Sequence, residues 1–238
     1  MALSASTNHN MTVGEVISAA LRVCGIGLNG ETATAQETND TLEAMEGLIK
    51  LWSVRGLKLW MRRNQDITMV ASDKDYTLGP SGDVTMDRPS DVFNAQLVDS
   101  SGNTIPVTPM SREQYRKLSD PTSTGTPTQF HYDPQLTNGT LYLWPVPDAT
   151  AASTYTLNIN YSKPIDDADA TTNDLEFPQE WYLALKWNLI KEIMMEYDLP
   201  ETKQRRIEKF ANYYRKEAEG TDIEDNRSLK FRPTRRRK

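Results

Sequence analysis

The chain has 238 residues, with 27 Lys and Arg against 33 Asp and Glu, and a mean hydropathy of −0.63. That length suits one large domain or two modest ones with a proper core, and no apolar run approaches the ~18 residues of a membrane-spanning helix. One cysteine, Cys24, rules out an internal disulfide framework, and two histidines, His9 and His131, leave too few ligands for a structural zinc site.

Residues 1–10 lack the basic start and apolar stretch of a signal peptide, so they are expected to be a flexible N-terminus on a protein made in the cytosol. The first helix opens on a capping box, Thr12 with Glu15. Val13, Val16, Ile17, Ala20 and Cys24 then follow at helical spacing, and Gly25 is placed to close it. A second box, Thr34 with Glu37, starts a helix whose buried stripe is Leu42, Met45, Ile49 and Trp52. Glu43, Glu46 and Lys50 take its wet face, and Gly56 ends it.

From about residue 57 the pattern changes to short β runs: Ile67–Val70, Phe93–Val98, Gln129–Tyr132, Leu141–Trp144 and Tyr155–Tyr161. The last alternates cleanly, with Tyr155, Leu157, Ile159 and Tyr161 on one face and Thr156, Asn158 and Asn160 on the other. Turns are expected at 79–82, at 101–103 and at Asn138–Gly139, the strongest hairpin signal in the chain. A short helix is expected from Ser111.

Pro178 suits the first position of a third helix, with Tyr182, Leu185, Leu189, Ile193 and Tyr197 on one face and Trp181 and Met194 widening it. Pro200 begins a fourth, where Ile207, Phe210, Ala211, Tyr214 and Ala218 repeat the pattern and Gly220 stops it. The expected fold class is therefore α+β. An antiparallel helical bundle is built from both chain ends (11–56 and 178–220), with an inserted antiparallel β domain (57–177), sandwich or barrel-like, and an extended basic tail (221–238).

The tail is the most uneven feature of the chain. Residues 227–238 hold seven Lys and Arg and no acid, which leaves residues 1–226 with a formal charge of −13. Pro233 blocks a helix through it, and no core-forming period is present, so it is expected to stay loose until a partner receives it. Leu229 and Phe231 stand between Arg227, Lys230, Arg232, Arg235, Arg236, Arg237 and Lys238. Apolar anchors in a basic string point to a protein groove, whereas charge alone points to nucleic acid.

Other motifs have bland explanations. Gly25–Ile26–Gly27–Leu28–Asn29–Gly30 matches G-x-G-x-x-G, but the segment before it has helical rather than strand period, so a helix-to-helix turn explains it better. Asp166, Asp167, Asp169 and Asp174 form an acidic loop without the glycine an EF-hand turn requires. No hydrolase elbow, zinc-protease helix or P-loop occurs, so no enzyme and no cofactor are expected. Trp52, Trp60, Trp181 and Trp187 default to packing roles. Trp144, beside Pro145 and Pro147 at a strand end, is the better candidate for a contact surface.

Three stretches resemble the head-to-tail connector adaptors of tailed bacteriophages, of the tail tubular protein A and tail accessory type. They are residues 11–22 with the helix through Glu43–Ala44–Met45 to Trp52; residues 125–132 followed by 141–147; and residues 155–164 leading into Pro178 and Trp181–Leu185. The first ten residues and the tail sequence itself fall outside the resemblance. The resemblance implies a structural virion protein at the head–tail junction, in a dodecameric ring of identical chains below the portal and above the tail tube or nozzle. DNA would pass through its lumen without sequence specificity, no membrane would be involved, and the tail would dock on the portal, with Trp144 as a tail-side contact. The competing reading is a nucleic-acid-binding protein that uses the tail as an electrostatic arm.

Overall fold

The computed structural model describes residues 11–27, 31–54 and 59–221. They divide into two units: one from the two ends of the chain, up to Leu59 and from Ala168 onward, and one spanning Trp60–Asp167.

The first unit is helical. Helix α1 (Val13–Cys24) begins on the expected capping box: Thr12 Oγ1 accepts from the Glu15 amide at 3.3 Å, and the Glu15 carboxylate accepts from the Thr12 amide at 2.9 Å. Two of the free amides at the helix start are thereby satisfied. Gly25 ends α1 at φ 105°, a left-handed conformation in which a Cβ would be strained. Helix α2 (Ala35–Val54) starts on the second box, Thr34 with Glu37. Its buried face is Thr41, Met45, Leu48, Ile49 and Trp52, with Leu42 half-buried at the margin. Thr41 can take a core position because its hydroxyl donates to the Glu37 carbonyl at 2.7 Å.

A 3-10 turn (Gln179–Trp181) follows Pro178 and leads into α5 (Tyr182–Ile193), and α6 runs Glu201–Thr221. The N-terminal helices pack on the C-terminal ones: α5 lies against α1, α2 and α6. Trp52, Phe177 and Trp181 interlock through edge-on and tilted ring contacts, 5.4 Å between the two indoles. Asn188 is buried in α5 because its amide donates to Ala184 O (2.8 Å) and to Ala211 O of α6 (3.2 Å). Two expected helix ends move. The third helix stops at Ile193, before Tyr197, and a turn follows that ends on Asp198 in a left-handed conformation. The fourth runs through Gly220, so that residue is not the stop. The end expected at Gly56 lies outside the described residues.

The second unit is a near-closed, eight-stranded sheet in the order β1-β10-β4-β5-β7-β8-β2-β3. Its strands are β1 (Arg62–Thr68), β2 (Asp75–Gly79), β3 (Val84–Thr85), β4 (Asp91–Asp99), β5 (Thr104–Pro109), β7 (Gln129–Asp133), β8 (Gly139–Trp144) and β10 (Tyr155–Ser162). The sheet curls around one core, to which Ile67, Tyr76, Leu78, Val92, Leu97, Val107, Phe130, Leu141, Leu143, Leu157 and Ile159 contribute. Two short strands, β6 (Thr124–Gly125) and β9 (Val146–Pro147), form a separate parallel pair. Two short helices, α3 (Arg112–Arg116) and α4 (Ala149–Thr154), carry side-chain caps from Ser111 and Asp148.

The inserted sheet is mixed, which corrects the expected all-antiparallel arrangement. β5 runs parallel to β7 at Thr108–Gln129, and β2 runs parallel to β3. Between β5 and β7 the chain makes a crossover containing α3, long enough to return in the same direction, which a hairpin cannot do. β2 and β3 are folded beside each other by Asp83, whose carboxylate accepts from the Thr77 amide (2.9 Å) and hydroxyl (2.7 Å). β2, β3 and β5 have no counterpart in the sequence reading. β5 contains Pro106 and Pro109 and buries only Val107 among its six residues, so period-2 hydropathy cannot reveal it.

Gly139 has a different role from the expected turn residue. It already belongs to β8, and the left-handed glycines among the described residues are Gly25, Gly27 and Gly102. A Cβ at Gly139 would run into the ring of Tyr132 on β7, which pairs with Leu141 and reaches diagonally to Gly139. Tyr132 is held there by donating its hydroxyl hydrogen to Pro89 O at 2.7 Å.

Candidate interaction surfaces

In the helical unit, the surface where α5 meets α6 is aromatic. Trp187 of α5 stacks near Phe210 (4.9 Å between centroids) and lies nearly parallel to Tyr214 (6.4 Å, 11°), and Tyr213 meets Tyr214 edge-on at 5.3 Å. Phe210 is 36% exposed and Tyr213 55%, and Leu183, one turn before Trp187, is 50% exposed. The Lys186 ammonium lies 5.9 Å from the Trp187 ring. Helical spacing explains the cluster: Ile207, Ala211 and Ala218 fill the buried stripe of α6, half-buried Tyr214 lies on that stripe, and Phe210 and Tyr213 fall on its shoulder. Helical spacing in the sequence put Phe210 and Tyr214 on the apolar face with Ile207, Ala211 and Ala218. The missed signal was their neighbour Tyr213, a third aromatic too far round the helix to be buried.

Arg206, Lys209 and Lys216 are helix neighbours of Phe210 or Tyr213 and flank the cluster on its solvent side, while Arg205 pairs with Glu201 (2.6 Å) and Arg215 with Glu219 (2.7 Å). The exposed face of α2 has the reverse character. Asp40 and Glu43 lie there with the small residues Ala44 and Gly47 and with Leu51, which is 44% exposed. A Cβ at Gly47 would meet nothing within 4 Å.

In the β unit, the outer face of β1, β10 and β4 is lined by amides in register. Asn64, Asn160 and Asn94 form one rung, and Asp66, Asn158 and Gln96 the next. Asn160 donates to Asn64 Oδ1 at 2.7 Å and Asn158 to Asp66 Oδ1 at 2.6 Å, and Asn64, Asn94, Gln96, Asn158 and Asn160 border a shallow groove with Arg62. Arg62 also lies over the Phe93 ring, 5.0 Å from its centroid. Elsewhere Tyr115, His131 and Tyr142 stack, with Tyr115 and Tyr142 4.9 Å apart, and the His131 ring nitrogen Nδ1 lies 3.2 Å from Met110 O.

Trp144 is half-buried in β8, opposite Gln129. Its indole N–H donates to Asp120 O at 2.9 Å, and a cis peptide bond joins it to Pro145. Its ring is thus fixed to a loop and partly presented to solvent. The tail residues Arg227, Leu229, Lys230, Phe231, Arg232, Arg235, Arg236, Arg237 and Lys238 lie outside the described residues.

The glycine run follows α1, a helix, so it lacks the strand that a dinucleotide fingerprint needs, and Gly30 lies outside the described residues. In the acidic loop, Asp166 pairs with Lys163 at 2.9 Å and Asp169 accepts from Asn173. The backbone of Asp174 bridges to Thr12 at the start of α1. Among the described residues no cluster of His, Cys, Asp and Glu could hold a metal ion. Cys24 is buried, and that burial raises its thiol pKa, the wrong direction for a reactive thiolate.

No curated protein is a significant match to the chain. Among solved structures, a chain in the virion of a native gene transfer agent particle is similar at 15% identity, covering 87% of this chain and 92% of that one, with a TM-score of 0.32. A chain in the neck of an empty gene transfer agent particle is similar at 13% identity, covering 85% and 93%, with a TM-score of 0.27. The family model described as SU10 adaptor protein matches residues 11–237, which takes in both helical ends, the β insert and nearly all of the tail. The resemblance to connector adaptors therefore holds at the level of the family, which is one of structural adaptors rather than enzymes. The chain belongs to the SU10 adaptor protein family.

Proposed function

We propose that the protein is a head-to-tail adaptor of a phage-like virion. Copies form a ring, dodecameric by the resemblance, between the portal and the tail tube or nozzle, and DNA passes through the lumen. The helical unit is an antiparallel bundle in this reading, and the protein is synthesised in the host cytoplasm. The observation that carries the reading is the family match, because it spans residues 11–237, taking in both helical ends and the β insert together. A body of charge −13 suits a channel through which DNA must slide, since phosphate adhesion needs basic neutralisation. A lumen mapped to Lys and Arg side chains would contradict that part.

The tail is the portal-docking element, with Leu229 and Phe231 as apolar anchors among the cations. Trp144, at the end of β8 with its ring tied to the Asp120 carbonyl, is the tail-side contact. Deleting residues 227–238 should leave the two units folded and weaken attachment to isolated portal rings. Undiminished attachment of the truncated chain would overturn the docking. A second reading, the tail as a nucleic-acid arm, is favoured by its charge of +7 alone. It predicts DNA affinity that falls steeply with salt and disappears with residues 227–238, while portal attachment stays intact.

A further inference from the structure

We infer that the subunit interface of the ring is formed by the aromatic, basic shoulder of α5 and α6 on one copy and the acidic, small-residue face of α2 on the next. The inference rests on the ring reading and names the surfaces that build it. Three observations point to a second copy as the occupant.

The first is charge. The shoulder carries Arg206, Lys209 and Lys216 against one acid, Glu217, and among the described residues none of the three cations has an ion-pair partner, whereas Arg205 and Arg215 of the same helix do. The exposed face of α2 carries Asp40 and Glu43, with Glu46 at its margin and Lys50 as its cation. Complementary potentials of this kind set register and suppress wrong partners. The second is shape. Phe210, Tyr213 and Trp187 project from one face, whereas Ala44 and open-sided Gly47 leave the other indented beside Leu51. Large aromatics entering a small-residue recess, rimmed by charge, is the composition of a hot spot.

The third is symmetry. The two faces lie on different helices and share no residue, so one face of a copy set on the other face of the next is a head-to-tail contact, the kind that builds a ring where its rotation closes. Both faces are exposed in the chain by itself, and α5 joins them within one rigid packing, since it contacts both α6 and α2.

The test is charge reversal followed by electron microscopy and light scattering of the full-length chain, alone and mixed with portal rings. R206E/K209E/K216E and, separately, D40K/E43K should each keep the wild-type circular dichroism and raise the concentration needed for half-assembly about tenfold or more. Mixing the two variants, or combining all five changes in one chain, should restore rings, because acid then meets base again at every contact. Rings from either variant at wild-type concentration, or no restoration on mixing, would overturn the interface and leave the ring reading standing. Loss of DNA affinity with unchanged assembly would assign the cations to nucleic acid and also overturn it. A wild-type chain that never forms rings, alone or on portals, would overturn both readings together.

Discussion

Replacing Gly139 by Ala separates two explanations of the Asn138–Gly139 pair. Tyr132 occupies the space a Cβ would need, and its hydroxyl bond to Pro89 O pins the ring. The new methyl must either push the ring out or shift the strand. Overpacking of this kind costs about 1–3 kcal/mol. Losing the Tyr132 hydrogen bond adds about 1 kcal/mol. Ala also restricts the unfolded chain, which returns roughly 0.5–1 kcal/mol. The net expectation is about 1–3.5 kcal/mol, or about 2–14 °C in melting temperature for a chain of this size.

The assay is thermal and urea unfolding of G139A in the wild-type background and in a Tyr132→Ala background. With the ring gone the methyl has room, so the G139A cost should fall to near zero, a coupling of the size expected for touching residues. A residue needed for left-handed φ would instead cost roughly 1 kcal/mol in both backgrounds. An equal cost with and without Tyr132 would refute the packing explanation, as would a neutral G139A.

Burial pushes the Tyr132 hydroxyl up to about 12, with Arg88 lowering it and Asp91 and Asp133 raising it. For an acid whose pKa is higher when folded, the stabilisation is complete below the unfolded value near 10 and is lost as pH rises from 10 to 12. Urea titrations across that window should show stability falling by about 1–2 kcal/mol after allowance for partial exposure, and Tyr132→Phe should flatten the fall while costing about 1 kcal/mol at neutral pH. Asn188→Asp would aim a buried carboxylate at the carbonyls of Ala184 and Ala211, so melting at pH 7 should show a loss of about 3 kcal/mol or more, with partial recovery in acid as the carboxyl protonates. Thr12→Ala removes one arm of the α1 capping box and should cost about 1 kcal/mol by urea unfolding, as should Gly25→Ala at its left-handed end. Cys24, buried and with its thiol pKa raised, should resist iodoacetamide in the native protein and react at once in urea.

The amino-acid sequence alone determined the features that depend on neighbours along the chain. The capping boxes at Thr12 and Thr34, the short helix from Ser111, the closing glycine at 25, the alternation of Tyr155–Tyr161 and the turn at Ser101–Gly102–Asn103 are local, and each stands in the structure where its residues place it. The order of helices, β middle and helices was also legible, along with the adaptor resemblance that this order supports. Tertiary structure decided what depends on residues distant in the chain. The central place of β10 between β1 and β4, the parallel seat of β5 beside β7 and the reason for Gly139 all come from contacts between segments tens of residues apart. No local period encodes such pairings, and proline-bearing β5 gave no period at all. Whether Phe210 is buried was decided the same way. Helical spacing allowed it at the edge of the stripe, but only the packing of α6 on α5 left it at the surface beside Trp187.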